Sequence, residues 1–383
     1  MTLSIHFFSR VIISCSVLLL FPGCSSLKRA PDALKISDDL PVIAEGYTIA
    51  VLPVVNLSAR KAPLKEIREV LAEDLRKQGI SILDSEVLER FMERRRMRNT
   101  SGIDTATAKA FADETGGQAV LVNSLEHYDE TYPPKIALTS RLVSTGNKAD
   151  ILWTDSIGLA GDDSPGILGL GLIKDSGELI KIASQHLSVS LAGYLSDPEH
   201  RVIVPQKDEA DERFLPKVYP YNSLYIDPGK KYTMAVLPFF NRSERKYAGE
   251  IIALHFVREM LKYENFHIAE PGMIREAFLK FRVIMNDGIS LENAERMFSR
   301  LNVDFILTGT VADYEDYQGT YGAPKVDFSI FLIARKSREV VWTSKSHNSG
   351  SDGVVFFDLG KINTAHSMAS EMVKAAVNVM IEQ

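Results

Sequence analysis

Apolar residues fall in several distinct rhythms along this chain, and the whole succession of rhythms occurs twice. From Ile49 to Val55 they run without alternation, the pattern of a strand covered on both faces. Pro53 sits near its end, where a missing N–H donor is tolerable, and Asn56 and Ser58 follow as turn and cap residues. Leu64, Ile67, Val70, Leu71 and Leu75 then keep a period of 3.6, which predicts a helix starting just after Pro63 and stopping at Gly79. A short strand is expected at 80–83 and a helix from Ser85 to Arg96. A third helix should open on Asp104 as its N-cap, turn Ala108, Phe111 and Ala112 inward, and close at Gly116 and Gly117. The next strand begins at Ala119 and runs toward Tyr128, 136–143 and 151–157 read as a hairpin, and an amphipathic helix over 172–195 completes the unit.

The same order returns after residue 232. Residues 47–61 read YTIAVLPVVNLSARK and residues 232–246 read YTMAVLPFFNRSERK, with ten of fifteen positions identical. Gly288, Ile289 and Ser290 stand where Gly102, Ile103 and Asp104 stood, and Pro324-Lys325 echoes Pro134-Lys135. The only two tryptophans, Trp153 and Trp342, fall at equivalent places, each followed by threonine. The chain therefore reads as an α/β protein made of two tandem copies of one mixed-sheet unit. The boundaries are 47–195 for the first repeat and 232–383 for the second. A Pro-rich, charged linker over 196–231 is expected to have little structure of its own.

Before the first repeat, 1–23 has the shape of a signal peptide: a polar start with Arg10, then an apolar run of about 11 residues, where a spanning helix needs about 20. The ending Leu20-Phe21-Pro22-Gly23-Cys24 resembles a bacterial lipoprotein lipobox, which implies acylation of Cys24 and removal of what precedes it. Each buried acyl methylene contributes about 0.8 kcal/mol, so several chains make a durable membrane anchor. Ser25, by resemblance to proteobacterial sorting, points to the outer membrane, and 24–46 reads as an extended tether on its periplasmic face.

Composition narrows the chemistry. The two cysteines are Cys15 and Cys24, so the folded body holds no disulfide, Cys-ligated zinc or cysteine nucleophile. A formal net charge of −6 offers no field for nucleic acid. No His-Glu-x-x-His, His pair at i and i+4, Gly-x-Ser-x-Gly or Walker loop occurs, and the adjacent carboxylates Asp129-Glu130 and Asp162-Asp163 would point to opposite faces of a strand or to water in a loop, neither of which makes an acid/base pair. No catalytic residues, metal site, cofactor or small-molecule substrate are therefore expected, and the chain reads as a non-enzyme.

The repeated strand of the form Ala-Val-Leu-Pro-hydrophobic-hydrophobic-Asn-x-Ser, with the Gly-Ile turn and the Trp-ended hairpin, resembles the family of bacterial envelope lipoproteins that includes CsgG-like and TolB N-terminal-domain-like units. That resemblance implies an α/β layer fold and protein binding, oligomerisation or secretion assembly in the cell envelope. The alternatives within it are a secretion-pore subunit and an activator of a peptidoglycan synthase. The barrel hairpins a pore needs, with alternating segments flanked by aromatics, are not evident here.

Two surface candidates remain. Ile167, Leu168, Leu170 and Leu172 in the first repeat, and Val354, Val355, Phe356 and Phe357 in the second, lie between hairpin and final helix and suit contact with an envelope protein or another copy of the chain. Arg90, Arg94, Arg95, Arg96 and Arg98 form a basic cluster suited to an anionic envelope partner.

Overall fold

A mixed sheet forms the middle of the first unit. β1 (Thr48–Val51) runs parallel between β3 (Ser81–Ile82) and β4 (Ala119–Asp129), and β4, β5 (Lys135–Ser144) and β6 (Ile151–Ala160) continue as an antiparallel meander, while β2 (Val55–Asn56) pairs with β4 further along. The unbroken apolar run has its explanation here, because helices cover both faces of β1. Ile49 and Val51 pack with α1 (Leu64–Lys77) and α4 (Ser176–Ser196), and Ala50 and Leu52 with α2 (Ser85–Arg94) and α3 (Thr105–Thr115). This is a computed structural model, and it describes residues 47–164, 171–196, 211–219, 223–282, 289, 291–319, 322–354 and 360–382. Cys24, Gly288 and Ser290 lie outside them.

Local signals act as read. The Asp104 carboxylate accepts the Thr107 N–H at 2.8 Å, and Gly116 closes α3 in the left-handed conformation. Two boundaries differ. α2 ends at Arg94 rather than Arg96, because Arg96 turns to a positive φ of 51°. The final helix begins at Ser176, not Leu172, where the Asp175 carboxylate takes the Glu178 N–H at 3.2 Å.

The connecting segment is more ordered than its prolines suggest. A 3-10 turn at Glu212–Phe214 places Phe214 in the core of the second unit, β7 (Lys217–Val218) pairs with a strand of its sheet, and Leu224 and Ile226 are buried in the same core. The expectation of a linker without structure is thus corrected for 211–219 and 223–231. Three apolar side chains among the prolines, each worth roughly 1.5–3 kcal/mol on full burial, draw the segment onto the fold.

The second unit repeats the first: β8 (Tyr232–Val236), β9 (Phe240–Asn241), α5 (Ala248–Met260), β10 (Phe266–Ile268), α6 (Pro271–Phe281), α7 (Leu291–Leu301), β11 (Phe305–Glu315), β12 (Lys325–Ala334), β13 (Glu339–Ser349) and α8 (Ala365–Ile381). Its strand order is β10-β8-β11-β12-β13-β7, with β9 on β11, matching β3-β1-β4-β5-β6 with β2 on β4. Even the irregularities recur. The sheets bulge between Leu125 and His127 and between Val311 and Asp313, and again beside Leu142 and Leu332, which face Trp153 and Trp342. Asn56 and Asn241 each accept from a Ser N–H two residues on and donate to an Arg carbonyl four residues on. The two sheet-and-helix units have the form of a tandem duplication, folded as one compact body. Among the described residues, no helix is long and apolar enough to cross a membrane.

Candidate functional site at the seam between the units

The two units do not meet through equivalent surfaces. In the first, α2 and α3 cover only part of one sheet face. The rest, formed by the far half of β4 with β5 and β6, carries Glu126, Lys135, Thr139, Arg141, Ser156 and Gly158. The second unit lays α5, the start of α6 and the start of α8 against that strip.

Polar contacts hold the seam. Arg245 donates to the carbonyls of Ser58, at 2.9 Å, and Glu126. Lys135 Nζ donates to the Tyr317 carbonyl at 2.9 Å and lies 3.2 Å from the centre of its ring. His127 Nδ1 stands 3.2 Å from Asp316, and Gln318 donates to Asp129 at 3.3 Å. Arg258 joins Ser156 of β6 to Ser370 of α8. Asp129, at the end of β4, is only 5% exposed and also binds Arg60 at 2.9 Å, so it does not face water. It sits beneath the neighbouring unit instead.

Two parts of the seam are fully enclosed. Arg141 and Glu270 face each other at 3.4 Å with side-chain exposures of 1% and 0%. Arg141 Nη2 also donates to the Ser101 carbonyl at 2.8 Å, but its Nε and Nη1 are buried without a hydrogen-bond partner. Burial lowers the Arg141 guanidinium and raises the Glu270 carboxyl, each against the attraction of the other. Desolvation outweighs this long, single contact. A cavity of about 450 Å³ adjoins Arg141, with Leu57, Leu254 and Phe278 among its apolar walls and Glu250 and Arg275 among its polar ones. Burial pushes the Glu250 carboxyl up.

Further along the seam Glu126, His255 and His366 converge. Glu126 occupies the β4 bulge, His255 the middle of α5 and His366 the first turn of α8. His366 Nδ1 is 2.6 Å and His255 Nε2 3.7 Å from the same Glu126 oxygen, while Thr139 donates to the other oxygen at 2.5 Å. All three possible ligand atoms lie within 4.8 Å of one another, and all three residues are buried. Burial pushes the Glu126 carboxyl up, but His366, His255 and Thr139 together overcome this and hold it at about 2. Burial, with His366 and Arg258 alongside, holds His255 well below its ordinary value against the pull of Glu126. Its Nε2 has no hydrogen-bond partner.

No protein-family profile and no curated protein matches the chain. Solved structures similar to parts of it include the PelC dodecamer from Paraburkholderia phytofirmans, at 17% identity and a TM-score of 0.31 over 43% of this chain and 97% of that one. Lipoprotein GNA1162 from Neisseria meningitidis matches at 20% identity and 0.28, over 38% and 99%. The LpoB C-terminal domain from Escherichia coli matches at 14% and 0.24, over 33% and 90%. Scores of this size do not by themselves establish a shared fold.

Ile167, Leu168, Leu170, Val355, Phe356 and Phe357 lie outside the described residues, and Leu172 and Val354 are half-buried. Arg90, Arg94, Arg95, Arg96 and Arg98 are exposed on α2 and just beyond it. Arg94 and Arg95 pair with Glu114, and Arg90 stands 3.7 Å from Glu86. Spacing rules miss Glu126, His255 and His366 because the three come from separate elements. A usable signal did exist in the differences between the repeats. Equivalent positions hold Ala312 for Glu126, Val70 for His255 and Gly177 for His366.

Proposed function

We propose that the chain is a lipid-anchored protein-binding and assembly component of the bacterial envelope, held by Cys24 at the periplasmic face of the outer membrane and acting without catalysis. The lipobox-like N-terminus and the family resemblance of the repeat support the setting. The observation that carries the assembly reading is the head-to-tail character of the seam, in which a sheet face of one unit receives a helix face of the next. A contact between unlike surfaces leaves one of each kind free, and repeating it generates rings or filaments.

Among the described residues, the surfaces left uncovered are the outer side of α1 and the open sheet face of the second unit. Carrying the seam over to equivalent residues places Glu73 of one copy at Lys345 of the next, where Arg258 meets Ser156 within the chain, and Val70 at Ala312, where His255 meets Glu126. Glu73 and Lys345 have side-chain exposures of 65% and 45%. The transferred contact lacks the buried ion pair, since Phe331 and Asp84 replace Arg141 and Glu270, and it opposes Asp313 to Glu130. Assembly would therefore be weaker than the internal seam and would rely on confinement by the lipid anchor to raise the local concentration.

The test uses the full chain in its membrane. With Glu73→Cys and Lys345→Cys together, mild oxidation is expected to give a ladder of covalent oligomers, and each single variant at most a dimer. Cys24→Ser should release the protein to the aqueous phase and shorten the ladder. Dimers alone from the double variant would defeat the head-to-tail reading, and unchanged membrane partition of Cys24→Ser would defeat the anchor.

A further inference from the structure

We propose that Glu126, His255 and His366 form a binding site for a single divalent transition-metal ion, zinc being the best chemical fit, that ties the two units together. The donors are two imidazoles and a carboxylate, a set that suits zinc and first-row neighbours and not magnesium or calcium, which take oxygen donors. Donor atoms about 2.1 Å from a tetrahedral zinc are about 3.4 Å apart. The two separations from the shared Glu126 oxygen, 2.6 and 3.7 Å, bracket that value, and all three donor atoms lie within 4.8 Å of one another, so opening the Glu126–His366 pair by roughly 0.8 Å and closing the Glu126–His255 pair by roughly 0.3 Å would admit the ion.

The hydrogen bonding points the same way. A Glu126–His366 pair by itself leaves His255 Nε2 buried and unpartnered, its hydration lost with nothing in exchange. A metal ion supplies the missing partner. Thr139, bonded to the second Glu126 oxygen, has the place of an outer-shell residue that orients a ligand. The nearby cations are engaged elsewhere, Arg258 with two serine hydroxyls and Arg245 with the backbone carbonyls of Ser58, Glu126 and Lys246. One ligand comes from the first unit and two from the second, so the ion would form a bond across the seam. The fourth position falls to water.

Full-length protein in detergent, stripped with chelator, is titrated with Co²⁺ and then Zn²⁺. The expected result is one equivalent of Co²⁺ giving the visible absorption of a four- or five-coordinate ion, bleached by one equivalent of Zn²⁺, and a Tm raised by Zn²⁺ through mass action. Glu126→Gln, His255→Leu and His366→Leu should abolish the spectrum, and Thr139→Val should weaken binding about tenfold. His347→Leu, at an exposed ring beside Asp327, should change nothing. Wild-type protein that shows neither the Co²⁺ spectrum nor a Zn²⁺-dependent Tm overturns the proposal, whether or not the variants fold. So does retention of the spectrum in a folded His255→Leu or His366→Leu protein.

Discussion

Glu270→Ala should lower the stability of the protein by about 3–5 kcal/mol, read as a fall in the urea midpoint. The substitution leaves the Arg141 guanidinium at 1% exposure with no paired countercharge, only the more distant Glu126 attracting it, and the Ser101 carbonyl as its one remaining acceptor. It also removes the cap of α6, where the Glu270 carboxylate accepts the Gly272 N–H. Two further variants separate these causes. Glu270→Gln keeps a cap acceptor but loses the charge and should fall between wild type and Ala. Arg141→Met with Glu270→Leu removes both charges, and because buried pairs can be exchanged for apolar residues at little cost, most of the loss should return. A double variant as unstable as Glu270→Ala would show that the ion pair contributes more than avoidance of a lone buried charge.

Gly272→Val should cost about 3 kcal/mol, at the upper end for overpacking, and should act at the seam. A Cβ at Gly272 would meet the Ile103 amide and the Gly102 carbonyl carbon, while a Cβ at Gly102 would meet the Glu270 carboxylate and the Gly272 amide. Two glycines thus let the loop before α3 touch the start of α6, backbone against backbone, and although the Glu270 carboxylate could move aside, the main-chain atoms could not. The expected signature is selective. Hydrogen exchange should accelerate around 99–104 and 270–275 while β1, β4 and α1 stay protected. Uniform acceleration across the first unit would mean that the seam and the core open together, contrary to this expectation.

Both units were legible before any coordinates, for local reasons. Asp104 and Gly116 mark α3 because a cap and a left-handed stop depend on neighbours a few residues away, and the uninterrupted run around Ala50 fits a central strand for the same kind of reason. The start of α4 was misplaced because Leu172 and Ile173 continue an apolar rhythm that the Asp175 cap interrupts. The seam was illegible. Glu126, Asp129, Lys135 and Arg141 have the composition of a wet surface, and nothing local records that another unit covers them. Comparing the repeats position by position offers the missing information, because Glu126, His255 and His366 break the duplication at three places that converge.

The polar character of the first sheet's covered strip bears on the order in which the chain is made. Synthesis from the N-terminus completes that sheet before α5, α6 and α8 exist. A hydrocarbon strip left bare in that interval would adhere to whatever lay nearby. Carboxylate, ammonium, guanidinium and hydroxyl groups at Glu126, Lys135, Arg141 and Thr139 keep it wetted until the second half arrives, so the half-made molecule can wait in water without a chaperoning surface.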